Sequence, residues 1–200
     1  TVEAVAKILF RWGVDTAFMR LYYECADQAA RQRLASTLFF FLLAVNGTLL
    51  AVALAGAEWL SARLFGVSGY GLLMALMLIN TFVVSFYFIP LQVLRIGEQS
   101  AQFIALVFSR SVGTLVARLV LVIAAGMGVL GIVLADVLVT IVFTLVLTRW
   151  FAPLLRPVFS REILGEALGF GLPRIPHTLS QQVIGLADRY FLNAFSTLRE

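Results

Sequence analysis

The run from Ile104 to Leu147 is almost continuously apolar. It is longer than one membrane-crossing helix needs, since a hydrocarbon core is spanned by about 20 residues of helix. Gly126, Gly128 and Gly131 lie near its middle, so the run divides into two helices joined by a tight turn. A hairpin of this kind belongs in a bilayer, and the composition agrees. The chain is 61% hydrophobic and 13% charged, whereas a soluble globular domain carries about 25% charged residues. The expected fold class is all-α, a polytopic helical membrane protein.

Two further blocks are long enough to span. Ser36 to Leu60 has Trp59 at its interfacial end and a lone Asn46 in its middle, a position where an amide more often bonds a neighbouring helix than a ligand. Tyr70 to Leu94 carries Pro90 near its end, where the proline is expected to shape the exit. Polar loops are expected over Cys25 to Gln32, Ser61 to Ser68 and Gly97 to Gln102. The first segment, Thr1 to Glu24, is only moderately hydrophobic. Its Lys7, Arg11 and Asp15 share one helical face, with Arg20 beyond them. It reads either as an amphipathic helix on the membrane surface or as a spanning helix with a polar stripe. The chain starts at Thr1 and stops at Glu200 inside a polar stretch, and is expected to be a piece of a longer protein. The single cysteine, Cys25, leaves no internal disulfide and no Cys-rich metal site.

The basic residues fall unevenly between connectors. One set holds Arg31, Arg33, Arg95, Arg110, Arg149, Arg156 and Arg161, and the alternate set holds Arg63. The positive-inside rule places the first set in the cytoplasm. That leaves Lys7 and Arg11 in the outer half of their helix, where topology alone does not account for them. Lys7, Arg11, Arg20, Arg118, Arg174 and Arg189 all lie within helices. Each costs about 2.5–3.5 kcal/mol to insert, so lipid-facing placement is disfavoured. Arg118 and Asp136 are at matching depths on the two arms of the apolar hairpin, roughly 12 to 15 Å below its turn. They either pair with each other or face a wet cavity.

The stretch from Arg161 to Glu200 is the most patterned. Gly169, Gly171, Pro173 and Pro176 interrupt its helix at the start, and Arg174, His177, Gln181, Gly185 and Asp188 then recur every three or four residues. That spacing gathers them on one face, as in a helix lining a cavity.

The wording FGLPRIPHTLSQQVIGLADRYFL resembles the helix that opens the second half of polysaccharide flippases. These are exporters of lipid-linked oligosaccharides in the multidrug/oligosaccharidyl-lipid/polysaccharide (MOP) superfamily. The matching residues are Phe170 to Pro173, Pro176, Ser180, Asp188 and Arg189. GVDTAFMRLYYE, Gly13 to Glu24, similarly resembles an early helix of those proteins. The resemblance implies a two-lobed transporter in the bacterial cytoplasmic membrane. Residues 1–148 would form an N-terminal lobe lacking its first helix, 149–162 a cytoplasmic basic connector, and 163–200 the first helix of the C-terminal lobe. It further implies alternating access around a central cavity, a polyprenyl-pyrophosphate oligosaccharide as substrate, membrane lipid around it, and polysaccharide polymerase or assembly machinery as a partner.

The expected anion-binding residues are Arg11, Arg20, Arg118 and Arg174, because guanidinium groups match phosphate oxygens with paired hydrogen bonds. Gln181 is expected to contact sugar. Asp15 and Asp136 are candidates for ion coupling, while Gly171, Pro173, Pro176, Asp188 and Arg189 form the structural motif. No catalytic constellation, metal cluster, cofactor-binding motif or nucleic-acid-binding stretch stands out. Two other readings stay open, a drug or metabolite antiporter of the same superfamily and a membrane scaffold without transport.

Overall fold

The computed structural model describes residues 10–65 and 69–196, leaving aside the side chains of residues 64, 65, 182, 186 and 188–196. Among the described residues every regular element is a helix. In chain order these are α1 (Val14–Glu24), α2 (Gln28–Ala55), α3 (Ala57–Phe65), α4 (Gly71–Val84), α5 (Phe88–Ile96), α6 (Ser100–Arg118), α7 (Gly128–Phe151), α8 (Arg161–Gly171) and α9 (Arg174–Ser196). Among the described residues four stretches are long and apolar enough to cross a membrane: Gln28–Ala55, Gly71–Ile96, Ser100–Ala124 and Gly128–Leu154.

The apolar hairpin folds as its glycines suggest. α6 runs on through a π-helical turn, Leu119–Ala124, and α7 begins at Gly128. Gly126 and Gly128 both take the left-handed conformation (φ +65° and +54°), which an L side chain rarely adopts.

Elsewhere the helices overrun the apolar boundaries. The expected loop Cys25 to Gln32 shrinks to a short turn, because the Asp27 side chain caps α2 by accepting from the Ala30 amide at 2.7 Å. On the far side α3 continues to Phe65. The loop expected over Gly97 to Gln102 ends at Gln99, and α6 starts at Ser100. Arg110 therefore lies well inside a span, about 15 Å along α6, and is not part of a connector. Pro90 acts within its span rather than at the exit. It has no amide to give to the Phe86 carbonyl, and its ring crowds that same carbonyl. The helix accordingly breaks between Val84 and Phe88, and the Ile89 amide takes the Phe86 carbonyl at 3.3 Å.

The main core gathers around α1. Val14, Ala17, Phe18, Leu21 and Tyr22 pack against Leu34, Leu38 and Leu42 of α2, Phe88 and Ile89 of α5, and Ala167 of α8. This burial overturns the surface-helix alternative for the described part of the first segment. A second, smaller core joins Val84 and Tyr87 to Phe143 and Leu147 of α7. α6 packs chiefly on α7 and α5.

α8 is brought to α1 by a laced connector. Gln32 donates to the Pro153 carbonyl at 2.8 Å, Ser36 accepts from the Arg156 amide at 2.7 Å, and Thr37 accepts from the Ser160 amide at 3.1 Å. Ser160 in turn caps α8 through the Ile163 amide. Leu154 is buried beneath this strap.

A candidate anion cavity between two broken helices

The first segment breaks at Trp12 and Gly13, both left-handed with φ of +52° and +68°. For a tryptophan this costs about 1–2 kcal/mol. The surroundings hold it there. Asn46, fully buried in α2, donates to the Phe10 carbonyl at 2.6 Å and accepts from the Trp12 indole N–H at 3.0 Å. Thr16 closes the break from the other side by donating to the Gly13 carbonyl at 2.9 Å. Asn46 is thus a helix-to-helix bond, as its isolation in the sequence suggests.

The second break follows from two prolines. Pro173 cannot donate to the Gly169 carbonyl, and α8 stops at Gly171. Pro176 likewise leaves the Leu172 carbonyl free, and the Ile175 amide takes it at 3.1 Å. α9 then starts at Arg174.

These breaks lie at one depth. α1 and α8 run antiparallel, and at about 1.5 Å per residue each carries its break roughly 15–16 Å from the arginine-rich end of the bundle. There the backbones touch. A Cβ built on Gly13 would stand 2.2 Å from the Gly171 carbonyl oxygen, and one on Gly171 would stand 2.7 Å from that of Gly13. One turn away Ala17 and Ala167 are both fully buried. Gly13 and Ala17 on one helix, with Ala167 and Gly171 on the other, form a small-residue seam of the kind that lets membrane helices approach closely.

The two breaks open a cavity of about 290 Å³ lined by Arg11, Gly13, Asp15, Thr16, Arg174, Ile175 and Thr178. Arg11 reaches across its own break to Asp15 at 3.4 Å, while its Nε is buried with no hydrogen-bond partner among the described residues. Among the described residues, two arginines against one aspartate leave the wall net positive. Arg20 and Arg174 approach one ring, with guanidinium carbons 4.9 Å and 5.6 Å from the centre of Phe170. Arg20 also pairs with Glu24 at 3.1 Å.

Four of the residues singled out in the sequence, Arg11, Asp15, Arg20 and Arg174, therefore cluster around the paired breaks, and Gly171, Pro173 and Pro176 create them. Others fall elsewhere. Arg118 and Asp136 form a two-pronged ion pair at 3.0 and 2.8 Å and do not line the cavity. Gln181 is exposed and bonds His177 one turn below at 3.2 Å. Lys7 and the side chains of Asp188 and Arg189 lie outside the described residues. Phe170 and Asn46 belong to the site, and sequence reasoning misses both in that role. The first could be found as the aromatic beside the FGLP break, whereas the second carries no local signal of a role at the cavity.

Comparison with known proteins agrees with this architecture. The profile of a family described as "Polysaccharide biosynthesis protein" matches residues 1–192. No curated protein sequence matches the chain. Among solved structures, an inward-facing multidrug resistance MATE family transporter of the MOP superfamily superposes with a TM-score of 0.67 at 22% identity. The match covers 91% of this chain and 44% of that transporter, so the chain spans less than half of the protein it resembles.

Proposed function

Because the chain belongs to the polysaccharide biosynthesis protein family, and has the fold of a MOP transporter's helical bundle, we propose that it takes part in moving a lipid-linked oligosaccharide across a bacterial cytoplasmic membrane. The supporting observation is the net-positive cavity between the two helix breaks. A polyprenyl-pyrophosphate carries its negative charge next to its sugar, and Arg11 and Arg174 are placed to meet such a group there. Stacking Arg20 and Arg174 on Phe170 presents both guanidiniums at one place. The prenyl chain would remain in lipid. On this reading α9 begins the second lobe, and alternating access closes that lobe over the cavity.

The test is deletion of the full-length gene, with surface polysaccharide and membrane-retained lipid-linked oligosaccharide measured together. Polymer should fall and lipid-linked repeat units accumulate. Complementation with Arg174→Ala or Arg20→Ala should leave export low at undiminished protein level. Normal export with both variants would sink the cationic-cavity reading.

A second reading, a drug or metabolite antiporter, draws on one observation: Asp15 also lines the cavity. Its carboxylate is engaged by Arg11, which weakens its attraction for a cationic substrate. Unchanged polymer with altered drug susceptibility in the deletion strain would favour it.

A further inference from the structure

The groove between α6 and α7 holds a cation that the cavity does not account for. Arg110 lies nearly three turns inside α6, and its side chain projects back toward the arginine-rich end of the bundle, as helical side chains do. Its guanidinium carbon stands 5.1 Å from the centre of the Tyr87 ring and 5.4 Å from that of Phe143. The Tyr87 hydroxyl is itself engaged by the Thr140 carbonyl at 2.7 Å and by Thr144. Stacking steadies the guanidinium and leaves its charge uncompensated. Among the described residues no carboxylate pairs with Arg110. An arginine at this depth is costly unless an anion meets it.

The space around it is shaped for hydrocarbon. Arg110 opens on a cavity of about 400 Å³ walled by Leu106, Leu138, Val139, Val142 and Val146. None of these residues lines the Arg11–Arg174 cavity. Toward the arginine-rich end, Phe103 lies on the same α6 face as Leu106 and Arg110, at spacings of three and four. The Arg95 guanidinium sits over Phe103 at 5.1 Å, and Arg149 ends α7 at the same level. One guanidinium thus lies below the interface, two more basic residues stand at it, and an aliphatic wall runs between the helices.

We propose that this groove binds an anionic phospholipid of the arginine-rich leaflet, with the phosphate on Arg110, the basic residues Arg95 and Arg149 at the interface above it, and an acyl chain against Val142 and its neighbours. Arginine takes phosphate oxygens through paired donors, and basic pockets between transmembrane helices near the cytoplasmic face suit lipid head groups. A free phosphate would leave the aliphatic wall uncovered, and a neutral lipid would leave the charge unmet. The inference does not rest on the transport reading.

The test uses purified, delipidated full-length protein, titrated with phosphatidylglycerol or phosphatidylcholine and read by native mass spectrometry. Wild type should retain phosphatidylglycerol preferentially. Arg110→Gln should weaken that retention about tenfold, the loss of one charge-assisted contact. Val142→Trp, at a position 62% exposed, should block the groove and weaken it likewise. Arg63→Gln, at the opposite end of the bundle, should bind as wild type does. Equal retention of the two lipids, displacement by inorganic phosphate alone, or unchanged binding in both groove variants would overturn the proposal. So would failure of any lipid to bind because another segment of the full-length chain fills the groove.

Discussion

Replacing Gly171 by alanine tests whether the two broken helices truly meet backbone to backbone. The new Cβ would stand 2.7 Å from the Gly13 carbonyl oxygen, 2.8 Å from its carbon and 3.2 Å from the Trp12 carbonyl oxygen. All three are main-chain atoms, and Trp12 and Gly13 are already pinned through Asn46 and Thr16, so the neighbour cannot simply rotate aside. Overpacking of this type costs about 1–3 kcal/mol. No backbone penalty adds to it, because Gly171 does not have a positive φ. Gly13→Ala should be worse, since its Cβ would meet the Gly171 oxygen at 2.2 Å and its φ of +68° adds about 1–2 kcal/mol. Gly169→Ala is the internal control. It lies in the same helix with nothing within 4 Å of the place its methyl group would occupy, and should stabilise by roughly 0.5–1 kcal/mol through helix propensity. Thermal unfolding of the purified full-length variants in detergent reads all three. If Gly171→Ala melts at or above Gly169→Ala, the close contact is absent and the steric reasoning fails.

Further outcomes follow from the same geometry. Neutralising Arg118 or Asp136 singly should reduce folded yield, since either change removes the two-pronged ion pair, whose charged hydrogen bonds are worth about 1.5–3 kcal/mol, and exchanging the two residues should restore part of it; a swap no better than the single variants would show that the ion pair is not what matters there. Asn46→Leu should lower the melting temperature by stranding the Phe10 carbonyl and the Trp12 indole N–H, each worth about 1–3 kcal/mol when buried, whereas Asn46→Asp should fall between, since it keeps only the acceptor. Burial pushes the Cys25 thiol above its usual pKa, with Arg31 opposing and Asp27 and Glu24 adding to the shift. Because only the thiolate is nucleophilic, maleimide labelling should be slower than for a free thiol near neutral pH and should accelerate as pH rises toward the shifted value. Labelling should occur from the arginine-rich side in oriented vesicles. A rate equal to that of a free thiol would contradict the burial.

Much of this architecture is legible in the residues because hydrophobicity and proline act locally. The hairpin from Ile104 to Leu147, the facing depths of Arg118 and Asp136, and the break at Pro173 follow from counting along the chain. What is not legible depends on partners far away in sequence. The left-handed Trp12 is held by Asn46, 34 residues on, and no local propensity announces it. Periodicity correctly places His177 and Gln181 on one face of α9, yet it cannot say that, among the described residues, the cavity is met by Arg174, Ile175 and Thr178 at the start of that helix. Arg110 reads as a connector residue because its charge groups it with the basic residues that bracket the polar run Gly97 to Gln102. The helix starts earlier, and aromatic rings within the bundle make room for the charge. The seam of Gly13, Ala17, Ala167 and Gly171 is visible as two small-residue pairs four apart, a signal easily passed over beside the prolines.

The touching glycines also set the mechanics of the bundle. α8 is strapped at its start and pressed against α1 at its end, so it moves with the first helices. α9, by contrast, is joined to them through Leu172 and Pro173. With 23 residues, α9 is a lever about 34 Å long, whose fulcrum is the Gly13–Gly171 contact. A tilt of about 10° at that point would carry its far end roughly 6 Å while the wall bearing Arg174, next to the pivot, moves only about 1 Å. Motion of that kind would displace the far end of α9 and leave the charges beside the pivot nearly in register.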